Sequence, residues 1–403
     1  MKKISILGLA LIGAFAATAQ VQTVKDVENQ LKKDVMAYPN AIKTLTPAFT
    51  NPETDKLAQT WYVAGKGAFD YVNQANAMSR ITKETNYAQW GQFVIDGYEY
   101  LLKALPLDSV ADAKGKIKTK YSKDILKTLV NNYPLAQEAG LWFYNDVKDY
   151  PKAAKAWSYI FTLPENPAVV KAGLKVLPDS VLGAYRFYSG CANSLANDYA
   201  PALNDFEQAI KLGYKDKAAY DYAITAATQL KEYDKAANIA KAAYAHFPEP
   251  NYLGTIINNK LEQKDYDGAL TFLDPYIQAE PSNGALYYLK GVIMEQKGDN
   301  AQAKQMYSKA IEFDANNANA LFRYALKICE EADALDQNES TNMTQAEYDK
   351  FCQERTFPMY REAAQYLEKA FQIDENLTDC LTLLRSIYYK LNDEANLKRV
   401  NEM

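Results

Sequence analysis

The sequence predicts an all-α chain, an α-solenoid in which antiparallel helix pairs stack one on the next. Three observations carry that expectation. The segments Asp198-Tyr199-Ala200-Pro201-Ala202, Glu232-Tyr233-Asp234-Lys235-Ala236, Asp265-Tyr266-Asp267-Gly268-Ala269 and Asp299-Asn300-Ala301-Gln302-Ala303 end in alanines at steps of 34, 33 and 34 residues. Four residues after each alanine comes Phe206, Ala240, Leu273 or Tyr307, and three further on comes Ala209, Ala243, Tyr276 or Ala310. Those offsets put all three side chains on one helical face. Units tend to close with proline, as at Pro248 and Pro281, where a helix must stop.

In chain order, residues 1–19 form the pattern of a secretory signal. Lys2 and Lys3 precede an uncharged stretch, Ile4 to Ala17, and a small-residue site for cleavage after Ala19. Residues 20–133 hold a looser helical region. There, Asn40 to Phe49 fit a lone helix, Trp61 and Gly65 a first helix, and Gly97, Leu101 and Ala104 a second after roughly 20 inserted residues. Residues 134–403 form the array proper. Asp149-Tyr150-Pro151-Lys152-Ala153 opens one unit, with Trp157 and Ile160 on its second helix. Leu321 begins a first helix whose partner carries Ala363, Leu367 and Ala370, with an insert at about 333–359 between them. The last unit starts at Thr378 and uses Leu384, Tyr388 and Leu397. Small residues let paired helices approach, large ones fill the gap to the next unit, and Asp198, Asp265 and Asp299 suit a second-helix N-terminus. Pro275 falls inside a second helix and predicts a kink, since it has no N–H and its ring meets the preceding turn.

With this period and these residue types, the chain resembles the tetratricopeptide-repeat family, in its exported bacterial form. Lys290 departs from the pattern, standing where the family has leucine. The resemblance implies a superhelix whose first helices line a concave groove for extended peptides or partner helices. The matching inward row is Phe187 with Cys191, Asp221, Thr225, Gln229, Asn258, Glu262, Tyr288, Glu295 and Phe322. The row holds no lysine or arginine, which argues against the family's carboxylate-clamping subtype.

A formal charge of −5 argues against nucleic acid as a main partner. The apolar stretch near Ile4 is too short to span a membrane, and no later segment is long and apolar enough. No cysteine follows the expected cleavage site, which argues against a lipid anchor. The expected location is therefore the periplasm or the outer-membrane surface, as a soluble protein. Four cysteines are too few for a disulfide framework, although Cys329 and Cys352 flank the insert and admit a bridge across it. No metal site, cofactor motif or catalytic constellation stands out, and His246, the single histidine, fits a helix end. The chain is expected not to be an enzyme.

Some features leave alternatives open. Lys116, Lys120 and Lys123 share a helical face, fit either for an acidic glycan or lipid headgroup or simply for solvent. Asp108-Ser109-Val110 and Asp179-Ser180-Val181 look like bacterial O-glycosylation sequons, with Ser109 and Ser180 as acceptors, and equally like helix caps. The 31 tyrosines suit both packing between helices and lining a wet groove. These features lead to an interaction scaffold that binds a protein or peptide partner in its groove. The alternative is glycan capture for polysaccharide uptake. Starch-utilisation surface proteins embed helix pairs of this type with aromatic platforms, and Trp61, Trp90, Trp142 and Trp157 all lie in the first half of the chain.

Overall fold

A computed structural model describes residues 19–109, 115, 118–341 and 343–403. The expected signal segment, Ala19 apart, lies outside the described residues, as do Val110, Lys114 and Lys116. The described residues form helices and turns without a strand. Contacts divide the chain into one compact unit up to Lys231 and a second from Glu232 to Met403.

In the first unit, residues 19–33 are helical and bury Val24, Val27 and Leu31. A short helix, Tyr38–Leu45, runs into a single 3-10 stretch, Thr46–Phe49, where a lone helix was expected. Next comes a long hairpin of Ala58–Thr82 and Tyr87–Leu107. The extra length expected there as an inserted segment is spent on the helices themselves, 25 and 21 residues long. Tyr133–Leu141 pairs with Tyr150–Thr162, and Asp179–Leu195 with Tyr199–Lys211. Lys217–Gln229 then packs on the Tyr199–Lys211 helix.

The second unit repeats the theme. Pro250–Glu262 pairs with Tyr266–Ala279, and Gly284–Gln296 with Asn300–Phe313. Ala318–Glu339 pairs with Phe357–Ile373, and Asp379–Lys390 with Glu394–Asn401. The Tyr266–Ala279 helix continues through Pro275 as one element. Lys290, out of place for an apolar seam, is accommodated by an ion pair with Asp274 at 2.9 Å.

The hairpin turns share one device. Lys148, Asn197, Lys264 and Asn392 take positive φ, as does Gly298, and each is followed by an aspartate. The N–H of Asp198, Asp265, Asp299 and Asp393 reaches back to the carbonyl of residue 193, 260, 294 and 388, which closes the preceding helix. The carboxylates of Asp149, Asp265, Asp299 and Asp393 then cap the next helix by accepting a backbone N–H. Asp198 makes no such side-chain bond, contrary to the expectation for that residue.

Three hairpins are held shut by a glycine under a large aromatic ring. A Cβ on Gly190 would lie 2.6 Å from Phe206, and one on Gly291 would lie 2.5 Å from Tyr307. Gly140 meets Trp157 still more closely. Gly190 and Gly291 each precede their aromatic partner by 16 residues, but Gly140 precedes Trp157 by 17. The extra residue is absorbed by a π-helical turn, Trp142–Val147, at the end of the first helix.

The insert before Phe357–Ile373 is helical. The Ala318–Glu339 helix runs into it, and Gln345–Phe351 and a second π turn, Cys352–Thr356, complete it. Cys329 and Cys352 are buried free thiols, so the bridge admitted by the sequence is absent. Side-chain pairs hold the segment instead: Tyr348 donates to Asp336, Arg355 bonds Glu339, and Tyr360 donates to Asp333.

Candidate functional site

Exposed aromatic side chains are the informative surface feature here, because a helix pair hides its apolar face when it can. In the first unit, Tyr188 and Tyr222 are 43% and 47% exposed. Tyr188 projects from the Asp179–Leu195 helix and Tyr222 from Lys217–Gln229. Tyr144 joins them from the π turn and lies 5.7 Å from the Trp157 ring. Beneath this layer Phe187 stacks with Tyr214 at 4.9 Å and with Tyr222 at 6.0 Å, while Tyr188 lies 6.2 Å from Trp157. The result is a half-wet aromatic surface on the first-helix side of three successive repeats.

Its electrostatics favour a neutral surface. Burial, with Cys191, Tyr150, Tyr222 and Tyr188 nearby, raises the Tyr144 hydroxyl above its ordinary range. Burial pushes the Cys191 thiol up to about 12, so at neutral pH it is a protonated, unreactive side chain. The tyrosine hydroxyls remain donors and acceptors over an apolar floor.

The residues expected to line a groove are only partly surface. Phe187 is buried under the tyrosines, which corrects its placement as a lining residue, and Cys191 is half-buried. Thr225 and Gln229 are exposed, and Asp221 is half-buried beside Lys217 at 3.5 Å. In the second unit Asn258 and Glu262 are exposed, whereas Tyr288 and Phe322 are half-buried. Glu295 is committed internally: it pairs with Lys327 at 2.7 Å and Arg323 at 3.6 Å, and it accepts from the Tyr307 hydroxyl. Burial would raise its carboxyl, but the bonds from Lys327 and Tyr307 outweigh that and lower it. The basic groups beside this row are Arg323 and Lys327, from the Ala318–Glu339 helix.

The second half of the molecule also carries the family signal. Residues 260–326 match the tetratricopeptide repeat family model. The chain carries tetratricopeptide repeats. A TPR repeat-containing protein of Methanocaldococcus jannaschii is 22% identical over 87% of this chain, and the chain spans 63% of that relative. Among solved structures, PilF of Pseudomonas aeruginosa is similar over 55% of this chain and 90% of its own, with 16% identity and a TM-score of 0.37. The C-terminal part of a TPR repeat-containing protein from Cytophaga hutchinsonii is 12% identical, covers 67% of this chain and all of its own, and has a TM-score of 0.35. Tetratricopeptide proteins are in general non-catalytic scaffolds for protein interactions.

Other expected sites fall out as follows in this tetratricopeptide chain. Asp108 closes the Tyr87–Leu107 helix and accepts from the N–H groups of Lys120, Tyr121 and Ser122, so it caps the Ser122–Asn131 helix from a distance. Ser109 beside it is exposed, and so is Ser180. Asp179 is the first helical residue rather than the cap, which is Pro178. Lys120 lies in the bend before the Ser122–Asn131 helix, not on a shared face with Lys123. His246 ends its helix, as expected. Among the described residues, no helix is long and apolar enough to cross a membrane. The tyrosines at 188 and 222 sit one position after the row the sequence singled out; their signal was the recurrence of tyrosine at that offset in neighbouring units.

Proposed function

We propose that this protein is a non-enzymatic scaffold of the cell envelope that holds an extended protein segment against the tyrosine face of its first unit. The carrying observation is the exposure of Tyr188 and Tyr222 on the first helices of successive repeats, with Tyr144 on the π turn that ends an earlier first helix. Tyrosine supplies large contact area at little conformational cost and keeps a hydrogen-bonding tip, which suits a surface that is wet when free and covered when bound. Location in the periplasm or at the outer membrane is supported by the signal pattern of the first 19 residues. Exposed Thr225 and Gln229 continue the same face with polar groups for main-chain contacts.

Glycan capture on tryptophan platforms has less to support it. Trp61, Trp90 and Trp157 are 6%, 4% and 1% exposed, so their rings fill the core. Trp142 stays half-buried, stacked on Tyr87 at 5.5 Å.

Photo-crosslinking in the living cell tests the proposal. A benzophenone amino acid at position 188 or 222 should capture the same protein, and one at Ile81, 85% exposed elsewhere on the unit, should not. Equal capture from all three positions, or from none, would contradict it.

A further inference from the structure

The tyrosine face is built as a series. The Trp157 ring lies between Tyr144 and Tyr188, 5.7 Å from the first and 6.2 Å from the second. Phe187 stands in the same relation to Tyr188 and Tyr222, at 5.8 Å and 6.0 Å. Both intervening rings are buried, 1% and 9% exposed, so they floor the intervals between three half-wet tyrosines. Each tyrosine stands two ring contacts from the next, a step of the same order as one polyproline II turn, about 9 Å.

Three properties narrow the occupant. The face is uncharged: apart from burial, the groups that act on the Tyr144 hydroxyl are Cys191, Tyr150, Tyr222 and Tyr188, neutral at pH 7. The carboxylates beside Tyr214 and Tyr222 are engaged locally, Asp216 by the Ala218 N–H at 2.9 Å and Asp221 by Lys217 at 3.5 Å. The intervals are shallow, because whole aromatic rings close their floors. Flat proline rings fit such intervals, whereas the apolar face of a helix needs depth for its anchoring side chains. Finally, the hydroxyls of Tyr144, Tyr188 and Tyr222 make no bond to another described residue, and each can donate.

A polyproline II segment matches all three. It carries no charge, presents a ring every third residue along one edge, and leaves its carbonyls without internal partners, free to accept from phenols. Proline has no N–H, so none is left unmatched over an apolar floor. A flexible segment brings one N–H per residue and loses more chain entropy when it is held straight. We propose that the tyrosine face of the first unit binds a proline-rich segment in the polyproline II conformation, with prolines three apart seated between Tyr144, Tyr188 and Tyr222. The proposal rests on the reading of this face as a protein-binding surface and names the chemistry of the segment it holds.

Titration calorimetry of the full chain with an end-blocked decamer of L-proline tests it. The controls are the D-proline decamer, which has the same composition and the opposite hand, and a glycine–serine decamer. The L-proline decamer should bind with a Kd below about 1 mM, and each control at least about tenfold more weakly. Tyr188→Ala should weaken the L-proline decamer by at least about tenfold. Tyr222→Phe, which removes only a hydroxyl, should weaken it about threefold to tenfold. If Tyr188→Ala lowers the melting midpoint, the Tyr222→Phe titration decides alone. No binding up to about 1 mM, equal affinity for the D-proline decamer, or unchanged affinity in the folded variants would overturn the proposal. Protein capture from positions 188 and 222 without decamer binding would sink this inference and leave the protein-binding reading standing; decamer binding without capture would do the reverse.

Discussion

At the residue scale, close approach and buried hydrogen bonds set the stakes. Gly140 faces Trp157, which is 1% exposed and whose burial contributes on the order of 3 kcal/mol. Gly140→Ala should therefore destabilise the chain by about 2 kcal/mol in denaturant titration, since a rigid buried ring cannot yield. Gly254→Ala, where the nearest atom is 3.5 Å away on Leu289, should be neutral or stabilise by up to about 1 kcal/mol through helix propensity. Asp108 gives a pH-dependent counterpart. Burial alone would raise its carboxyl, but the Ser122 hydroxyl and three backbone N–H groups hold it below the usual carboxylate range. A depressed carboxyl stabilises the fold above its unfolded pKa of about 4 and loses that contribution as pH falls through the folded value. Asp108→Ala should cost about 1–3 kcal/mol at pH 7, and its difference from the parent should shrink as urea titrations move below about pH 4.

At the element scale, the helices most legible in the sequence were those with a turn aspartate and an alanine four residues after it. Ala202, Ala269 and Ala303 all proved fully or almost fully buried, because a small residue at a helix crossing has one physical reason to recur. The π turn at Trp142–Val147 was not read, although the 17-residue spacing from Gly140 to Trp157 carried it. At 333–359 the sequence was read only as an insert, yet Gln345–Phe351 opens with a Thr344–Glu347 capping box that it already contained. Pro275 supplies the prediction at this scale. It is exposed inside Tyr266–Ala279 and removes one backbone bond, so Pro275→Ala should raise stability by about 1–3 kcal/mol in thermal or urea unfolding.

At the scale of the whole molecule, repeat architecture was readable because each hairpin restates the same burial problem. The candidate site was readable only in part. Periodicity selects a helical face, but it cannot tell Phe187, sunk beneath its neighbours, from Tyr188, which stands on top of them; the two are adjacent and both aromatic. Nor does it reveal that Glu295 is neutralised by Lys327 from the Ala318–Glu339 helix. The tyrosine face of the first unit is the proposed place where a protein segment is held. Hydroxyl-radical footprinting of the purified chain against the same chain in envelope extract of its host addresses it most directly. Tyr188 and Tyr222 should become protected while Tyr389, 75% exposed in the second unit, stays labelled. Undiminished labelling of Tyr188 and Tyr222 in the extract would contradict the account.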